Sequence, residues 1–170
     1  LEGQDIMNIL ARSVLEMYTH DENPDDTSRE NLVRQAVELI ARFPTIIAYA
    51  SNIYRHSLQG RALHIRHPKR GLSVAENFLY MLKGRFSDLE ARVLDLALIL
   101  PAEHGGGNNS SFTVRVTSSS GTDTYSSIAA GLGSLKRPLH GGPPLHVIDM
   151  FPPPNAAVTD RTDVNPVAGS

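Results

Sequence analysis

The sequence predicts an all-α protein with several helices packed around one core. Three capping boxes, in which Ser or Thr is followed three residues later by Glu, occur in the first 100 residues. Apolar residues recur at helical spacing in the same region. The chain has 170 residues, 41% of them hydrophobic, and a net charge of −2. A chain of this length can bury a substantial core, so we expect a folded helical domain.

The composition excludes several classes of function. With 16 basic and 18 acidic residues, nucleic acid is not expected as the main partner. The chain has no cysteine, which excludes disulfides, thiol catalysis and cysteine-ligated metals. No apolar stretch has the length of a membrane span, and the first residues lack a signal-peptide pattern. We therefore expect a cytoplasmic protein.

Each helix has its own local signal. Apolar spacing predicts a helix over residues 4–18, and an acidic loop over residues 20–26 ends it. Capping boxes at residues 27–30, 73–76 and 87–90 predict the starts of three more helices. The first of these is expected to end near Phe43, and Pro44 is expected to open a separate helix over residues 45–57. Between the boxes, residues 60–72 are predicted to form a solvated basic loop.

The second half of the chain has weaker patterns. Residues 112–117 have β-propensity, but their neighbours favour a helix. Residues 126–135 (SSIAAGLGSL) predict a small-residue helix that other backbones can approach closely, which Pro138 should end. We expect residues 1–150 to form one helical segment and residues 151–170 an irregular, proline-rich tail.

Two His-Gly-Gly segments, at residues 104–106 and 140–142, are the candidate site. The first resembles the oxyanion loop of a lipase, but that interpretation needs a GxSxG nucleophile motif, which the chain lacks. A simpler interpretation is that both histidines cap helices or pack. Among the other histidines, His64 and His67 have no third ligand at metal spacing, and His20 and His56 are expected at the surface.

Residues 104–142, HGGGNNSSFTVRVTSSSGTDTYSSIAAGLGSLKRPLHGG, resemble the core segment of the citrate synthase family. The upstream stretches NPDDTSRE, FPTIIAYA, LSVAENFLYML and LEARVLDLALIL are similar too, so that the likeness runs to about Met150. It implies an acyltransferase that condenses acetyl-CoA with oxaloacetate to citrate and CoA, a reaction of the tricarboxylic acid cycle. It implies no metal and no bound cofactor, since acetyl-CoA is a substrate. A 2-methylcitrate synthase using propionyl-CoA, or a non-catalytic helical module, are the alternatives.

The resemblance also implies roles for individual residues. His104 and Asn108 match residues that bind oxaloacetate, and His140 matches the catalytic histidine that stabilises the enol of acetyl-CoA. His104 would also serve in catalysis, and Gly141 and Gly142 would lie against the acyl-CoA. The family's aspartate base, third histidine and arginine clamp lie further downstream and find no match here. We therefore expect a segment of the large domain without the small domain, inactive by itself.

Two departures from the family pattern lie beside the second histidine. Arg137 stands in place of a glycine, and Pro143 and Pro144 follow the His-Gly-Gly segment, where they remove backbone N–H donors.

Two segments, residues 93–100 and 128–135, are apolar nearly all round and should be buried on all sides. The resemblance implies a homodimer, and we expect residues 126–135 in its interface. The alternative is that the two segments bury each other.

Overall fold

The computed structural model describes residues 6–102 and 105–136, and within these ranges every regular element is helical. The described residues up to and including Ser134 belong to one compact unit, and a second unit begins at Leu135. None of the described helices is long and apolar enough to cross a membrane. The α-helices are α1 Ile6–Met17, α2 Arg29–Gln59, α3 Val74–Lys83, α4 Asp88–Ile99, α5 Asn109–Ser118 and α6 Thr124–Leu135, with 3-10 turns at Tyr18–His20 and Leu100–Ala102. The predicted all-α class is confirmed, and the chain segment over residues 112–117 is a helix, as expected.

The core forms where α1, α2 and α6 meet. In α1, the residues Leu10, Val14 and Met17 recur at helical spacing on one face and are buried. They cluster with Leu39 of α2 and with Tyr125 and Leu132 of α6. Burying a large apolar side chain stabilises the fold by about 1.5–3 kcal/mol, so this cluster holds α6 to the first two helices.

Helix α2 continues through Pro44 for 31 residues, so the predicted break at this position is wrong. Proline lacks the N–H that would bond to the carbonyl one turn earlier, at a cost of about 3 kcal/mol. Residues on both sides of it pack against the core, among them Leu39, Phe43 and Ile47. Because this tertiary packing holds both halves in line, the helix tolerates the loss of one hydrogen bond.

Two of the three predicted capping boxes are confirmed. At the start of α3 the Ser73 hydroxyl accepts a hydrogen bond from the Glu76 N–H, and the Glu76 carboxylate accepts one from the Ser73 N–H. Ser87 and Glu90 make the same reciprocal pair at the start of α4.

The box predicted at residues 27–30 is wrong, because the N-cap of α2 is Ser28 and not Thr27. The Ser28 hydroxyl accepts from the Asn31 N–H, and the Asn31 amide donates to the carbonyls of Asn23 and Asp26, at 3.0 and 2.7 Å. The preceding acidic loop thus sets where α2 begins.

The apolar segment over residues 93–100 is largely exposed, so the described part of this chain does not provide the burial expected for it. Its exposed side chains retain between 47% and 76% of their accessible surface: Val93, Leu96, Leu98, Ile99 and Leu100. Since α6 lies in the core cluster while these side chains face outward, the two segments do not bury each other.

Candidate functional site

The turn before α5 contains the one predicted site residue that the structure describes, Asn108. Gly105 and Gly106 precede it with φ of +81° and +65°, a left-handed backbone that strongly favours glycine. Asn108 then adopts an extended conformation and is the N-cap of α5. Its Oδ1 accepts hydrogen bonds from the Ser111 N–H, at 2.8 Å, and from the Ser110 hydroxyl. Asn108 therefore has a structural role as a helix cap, which the sequence analysis did not assign to it.

The guanidinium group of Arg115 lies directly against this turn. A Cβ atom built on Gly106 would lie 2.8 Å from Nη2 of Arg115, so the guanidinium occupies the space that a side chain would need. Arg115 is seven residues after Asn108 on α5, and such residues lie on the same helix face. Arg115 is not among the site residues predicted from the sequence, although its spacing from Asn108 indicates that it lies on the same face of α5. An anionic ligand at the turn would meet this positive charge.

The start of α5 lies beside the end of α6. The Asn109 amide donates a hydrogen bond of 2.8 Å to the Ser134 hydroxyl. At Gly131 the two helices come closer still, because a Cβ there would lie 2.6 Å from Cγ2 of Val114. Glycine is thus required at position 131 of α6, because a larger residue would collide with Val114 of α5. The first turn of α5 and the last turn of α6 are therefore neighbours.

A buried carboxylate anchors the other end of α6. Asp21, whose side chain is 1% exposed, accepts hydrogen bonds from the Tyr125 hydroxyl at 2.6 Å and from the amide of Gln35 at 2.9 Å. Nη2 of Arg34 lies 2.6 and 2.8 Å from its two oxygens. The Thr124 hydroxyl donates to the Gln35 amide oxygen. These bonds connect the loop after α1, the first turns of α2 and the first turn of α6.

The network stabilises the charged form of Asp21. Burial alone would raise the pKa of this carboxyl, but the hydrogen bonds, led by that from Tyr125, hold its pKa well below the usual range. Burial and the same hydrogen bond raise the pKa of the Tyr125 hydroxyl. Asp21 is therefore an ionised structural group that positions α6.

The remaining predicted site residues lie outside the described residues: His104, His140, Gly141 and Gly142. The same is true of Arg137, Pro138, Pro143, Pro144 and the tail over residues 151–170. Of the other histidines, Nδ1 of His67 lies 2.9 Å from the Tyr49 hydroxyl, and Nδ1 of His56 lies 2.8 Å from the Arg61 carbonyl oxygen. Within the described ranges, no three His, Asp or Glu side chains are grouped in a way that could hold a metal ion.

Comparison with known proteins places the chain in one family. The family described as "Citrate synthase, C-terminal domain" matches residues 2–163. The chain is 38% identical over 142 residues to a citrate synthase of Deinococcus radiodurans, covering 83% of this chain and 36% of the relative. It is 36% identical over 142 residues to 2-methylcitrate synthase 2 of Corynebacterium glutamicum, covering 80% and 35%. The crystal structure of citrate synthase from Pyrobaculum aerophilum superposes with a TM-score of 0.72 at 32% identity, covering 85% of this chain and 37% of that one. The chain thus spans little more than a third of the relatives it matches.

Proposed function

Because the chain belongs to the citrate synthase family, we propose that it supplies part of the active site of an acyltransferase that condenses acetyl-CoA with oxaloacetate. The observation that carries this proposal is the contact between Asn109 and Ser134. His104 precedes Asn109 by a short turn, and His140 follows Ser134 by a short stretch. The contact supports the proposal because it brings together the start of α5 and the end of α6, the two helices that stand next to the His-Gly-Gly segments in the sequence.

The proposed chemistry assigns a task to each group. The methyl of a thioester is a weak acid, so its proton leaves only if the developing enolate oxygen is stabilised. His140 donates a hydrogen bond to that oxygen, and the backbone of Gly141 and Gly142 lies against the acyl-CoA. His104 and Asn108 bind oxaloacetate.

Arg115 adds a positive charge beside the Gly105–Asn108 turn, which favours a dicarboxylate there. The general base, a third histidine and further arginines come from outside this segment in the proposed enzyme. Catalysis therefore needs a longer protein, while part of the oxaloacetate contact set is already present here.

Calorimetric titration of the 170-residue chain with oxaloacetate and with CoA tests this proposal. We expect oxaloacetate to bind and His104→Ala to abolish its binding, whereas the exposed His20→Ala leaves it unchanged. The chain alone should not form citrate, because it lacks the base. Steady citrate formation by the chain would contradict this division of roles.

In a longer protein that contains this sequence, His140→Ala should lower kcat by about 100-fold or more, as expected for loss of a transition-state donor. His104→Ala should weaken oxaloacetate binding as well as turnover. Normal kinetics in both variants would show that the residues have been assigned wrongly.

The acyl donor has a second candidate. The relatives include both a citrate synthase and a 2-methylcitrate synthase at similar identity, so propionyl-CoA is the alternative substrate. The ratio of kcat/KM for acetyl-CoA and propionyl-CoA in the longer protein decides between them. We propose acetyl-CoA, and a ratio favouring propionyl-CoA would reverse that assignment.

A non-catalytic helical module is the alternative from a different class of function. Such a module would not bind oxaloacetate, so the oxaloacetate titration distinguishes it from the enzyme segment.

We also propose that the chain forms a two-fold homodimer with residues 126–135 in the contact. Gly133 supports this proposal because it is exposed and a Cβ built on it meets nothing within 4 Å. A partner helix can therefore approach the backbone there. Sedimentation at micromolar concentration should give a dimer, and Gly133→Arg should give a monomer, whereas Ser119→Arg should not. A folded, monomeric wild-type chain would rule out the dimer.

A further inference from the structure

We propose that a basic cleft at the C-terminal end of α2 binds a small phosphorylated anion that carries a diphosphate group. The cleft has a volume of about 330 Å³, within the range of about 300–1,000 Å³ that is usual for small-molecule sites. Three arginines provide most of its charge, and we call it the arginine cleft. Its lining comprises Asn52, Arg55, Arg61, Ala62, His64, Arg66, Leu82 and Lys83. It shares no residue with the Gly105–Asn108 turn.

The end of α2 brings two of the arginines together. Gly60 ends the helix with φ of +62°, in the left-handed region, and reverses the direction of the chain. The Arg61 N–H then donates to the carbonyl oxygen of Arg55, at 3.3 Å. Nδ1 of His56 lies 2.8 Å from the Arg61 carbonyl oxygen and holds the turn from the other side. Arg55 and Arg61 are thus adjacent because of backbone geometry.

The third arginine is held against α3. A Cβ built on Gly84 would lie 3.0 Å from Nε and 3.1 Å from Cζ of Arg66, so this guanidinium packs on the bare glycine backbone. The Asn52 amide donates to the Met81 carbonyl at 3.1 Å and joins α2 to α3 beneath the cleft. Arg66 is half-buried, and its guanidinium lies against the backbone at Gly84.

The charges of the cleft are not balanced by the described part of the chain. Lys83 forms an ion pair with Glu90, whose pKa is lowered to about 2 chiefly by the hydrogen bond from Lys83. The side chains of Arg55, Arg61 and Arg66 have no carboxylate within 4.0 Å among the described residues. Three guanidinium groups without a carboxylate partner in this part of the chain line one concavity and create a positive potential that attracts a multiply charged anion.

The shape of these groups favours phosphate. The planar guanidinium fork matches two oxygens of a phosphate or carboxylate, whereas an ammonium acts as a point charge. Three guanidinium groups can bind more oxygen atoms than one carboxylate has, whereas a diphosphate has enough oxygen atoms for all three. The lining has no Phe, Tyr or Trp ring on which a base could stack. The recognised part of the ligand is therefore its charged group.

Calorimetric titration of the 170-residue chain with inorganic pyrophosphate, at constant ionic strength, tests the proposal. We expect saturable one-site binding with Kd below about 1 mM. Arg55→Gln and Arg66→Gln should each weaken binding by about tenfold, as expected for loss of a charge-assisted hydrogen bond. The control is Arg29→Gln, which removes an exposed arginine roughly 40 Å away along the same helix and should not change Kd.

Titrations with a further variant and with ADP identify the class of ligand. Arg66→Lys keeps the charge but loses the fork, so it should still weaken binding severalfold. Tighter binding of ADP than of pyrophosphate would indicate a nucleotide as the source of the diphosphate, and equal binding would indicate a free diphosphate. Circular dichroism should be unchanged in all variants, because these side chains are outside the core. Absence of saturable binding, or equal loss in Arg29→Gln and Arg66→Gln, would overturn the proposal.

Discussion

Removal of the Tyr125 hydroxyl tests how strongly the Asp21 network stabilises the fold. Tyr125 is 1% exposed and its hydroxyl donates to Oδ2 of Asp21 at 2.6 Å. In Tyr125→Phe the ring still fills its place in the core, so no cavity forms. The change removes one donor from a buried, ionised carboxylate and leaves the others in place.

The size of the effect follows from the charge of the acceptor. A hydrogen bond to a charged group contributes about 1.5–3 kcal/mol, so we expect Tyr125→Phe to lower the free energy of unfolding by about 2 kcal/mol. For a chain of this size each kcal/mol shifts Tm by about 2–4 °C. Tm should therefore fall by about 4–8 °C at pH 7. Thermal and urea unfolding followed by circular dichroism measure both quantities.

Tyr18→Phe is the matched control. The Tyr18 hydroxyl also donates to a carboxylate, that of Asp25, at 2.9 Å, but this bond is exposed. Its ring packs edge-on against Tyr125, with centroids 6.5 Å apart, and the substitution keeps that contact. We expect a change of less than about 0.5 kcal/mol. Equal effects of the two substitutions would refute the argument that burial and charge make the Tyr125 bond strong.

The other predictions concern charge, packing and caps. The folded-state pKa of Asp21 lies below its unfolded value, so the stability that its charged form adds is complete above about pH 5 and is lost as the pH falls further. In Asp21→Asn, the free energy of unfolding should therefore change less with pH over this acid range. An unchanged pH dependence would contradict the role of Asp21 as an ionised structural group. Gly131→Ala should destabilise the fold by about 1–3 kcal/mol because its Cβ would meet Val114, and an unchanged urea midpoint would contradict the close approach of α5 and α6. Ser73→Ala should cost about 1 kcal/mol through loss of the α3 cap, and no change in urea midpoint would show that the cap is not formed in solution.

Features that depend on neighbours along the chain were predictable from the sequence. The starts of α3 and α4 follow from Ser73 and Ser87, because a capping box satisfies the first N–H groups of a helix with residues three apart. The buried face of α1 follows from its apolar spacing. The family was recognisable from the two His-Gly-Gly segments and the sequence between them, and the comparison with known proteins confirms it.

Features that depend on distant residues were decided by the tertiary structure. Pro44 predicts a helix end locally, yet α2 continues because packing on both sides offsets one lost hydrogen bond. The carboxylate of Asp21 meets the hydroxyl of Tyr125 across more than a hundred residues of sequence, and no local pattern indicates that contact. Likewise, the close approach of α6 to Val114 of α5 at Gly131 depends on how the two helices pack.

The apolar residues at the end of α4 also show the difference between what the sequence determines and what tertiary packing determines. Composition established that Leu96 and Leu100 belong to an apolar segment, but only the packing of the helices decided which side chains are covered within this chain. Hydrophobicity is a property of the residue, whereas burial depends on which surfaces come together. The sequence by itself therefore determined the helices and the family, and the tertiary structure decided which residues meet.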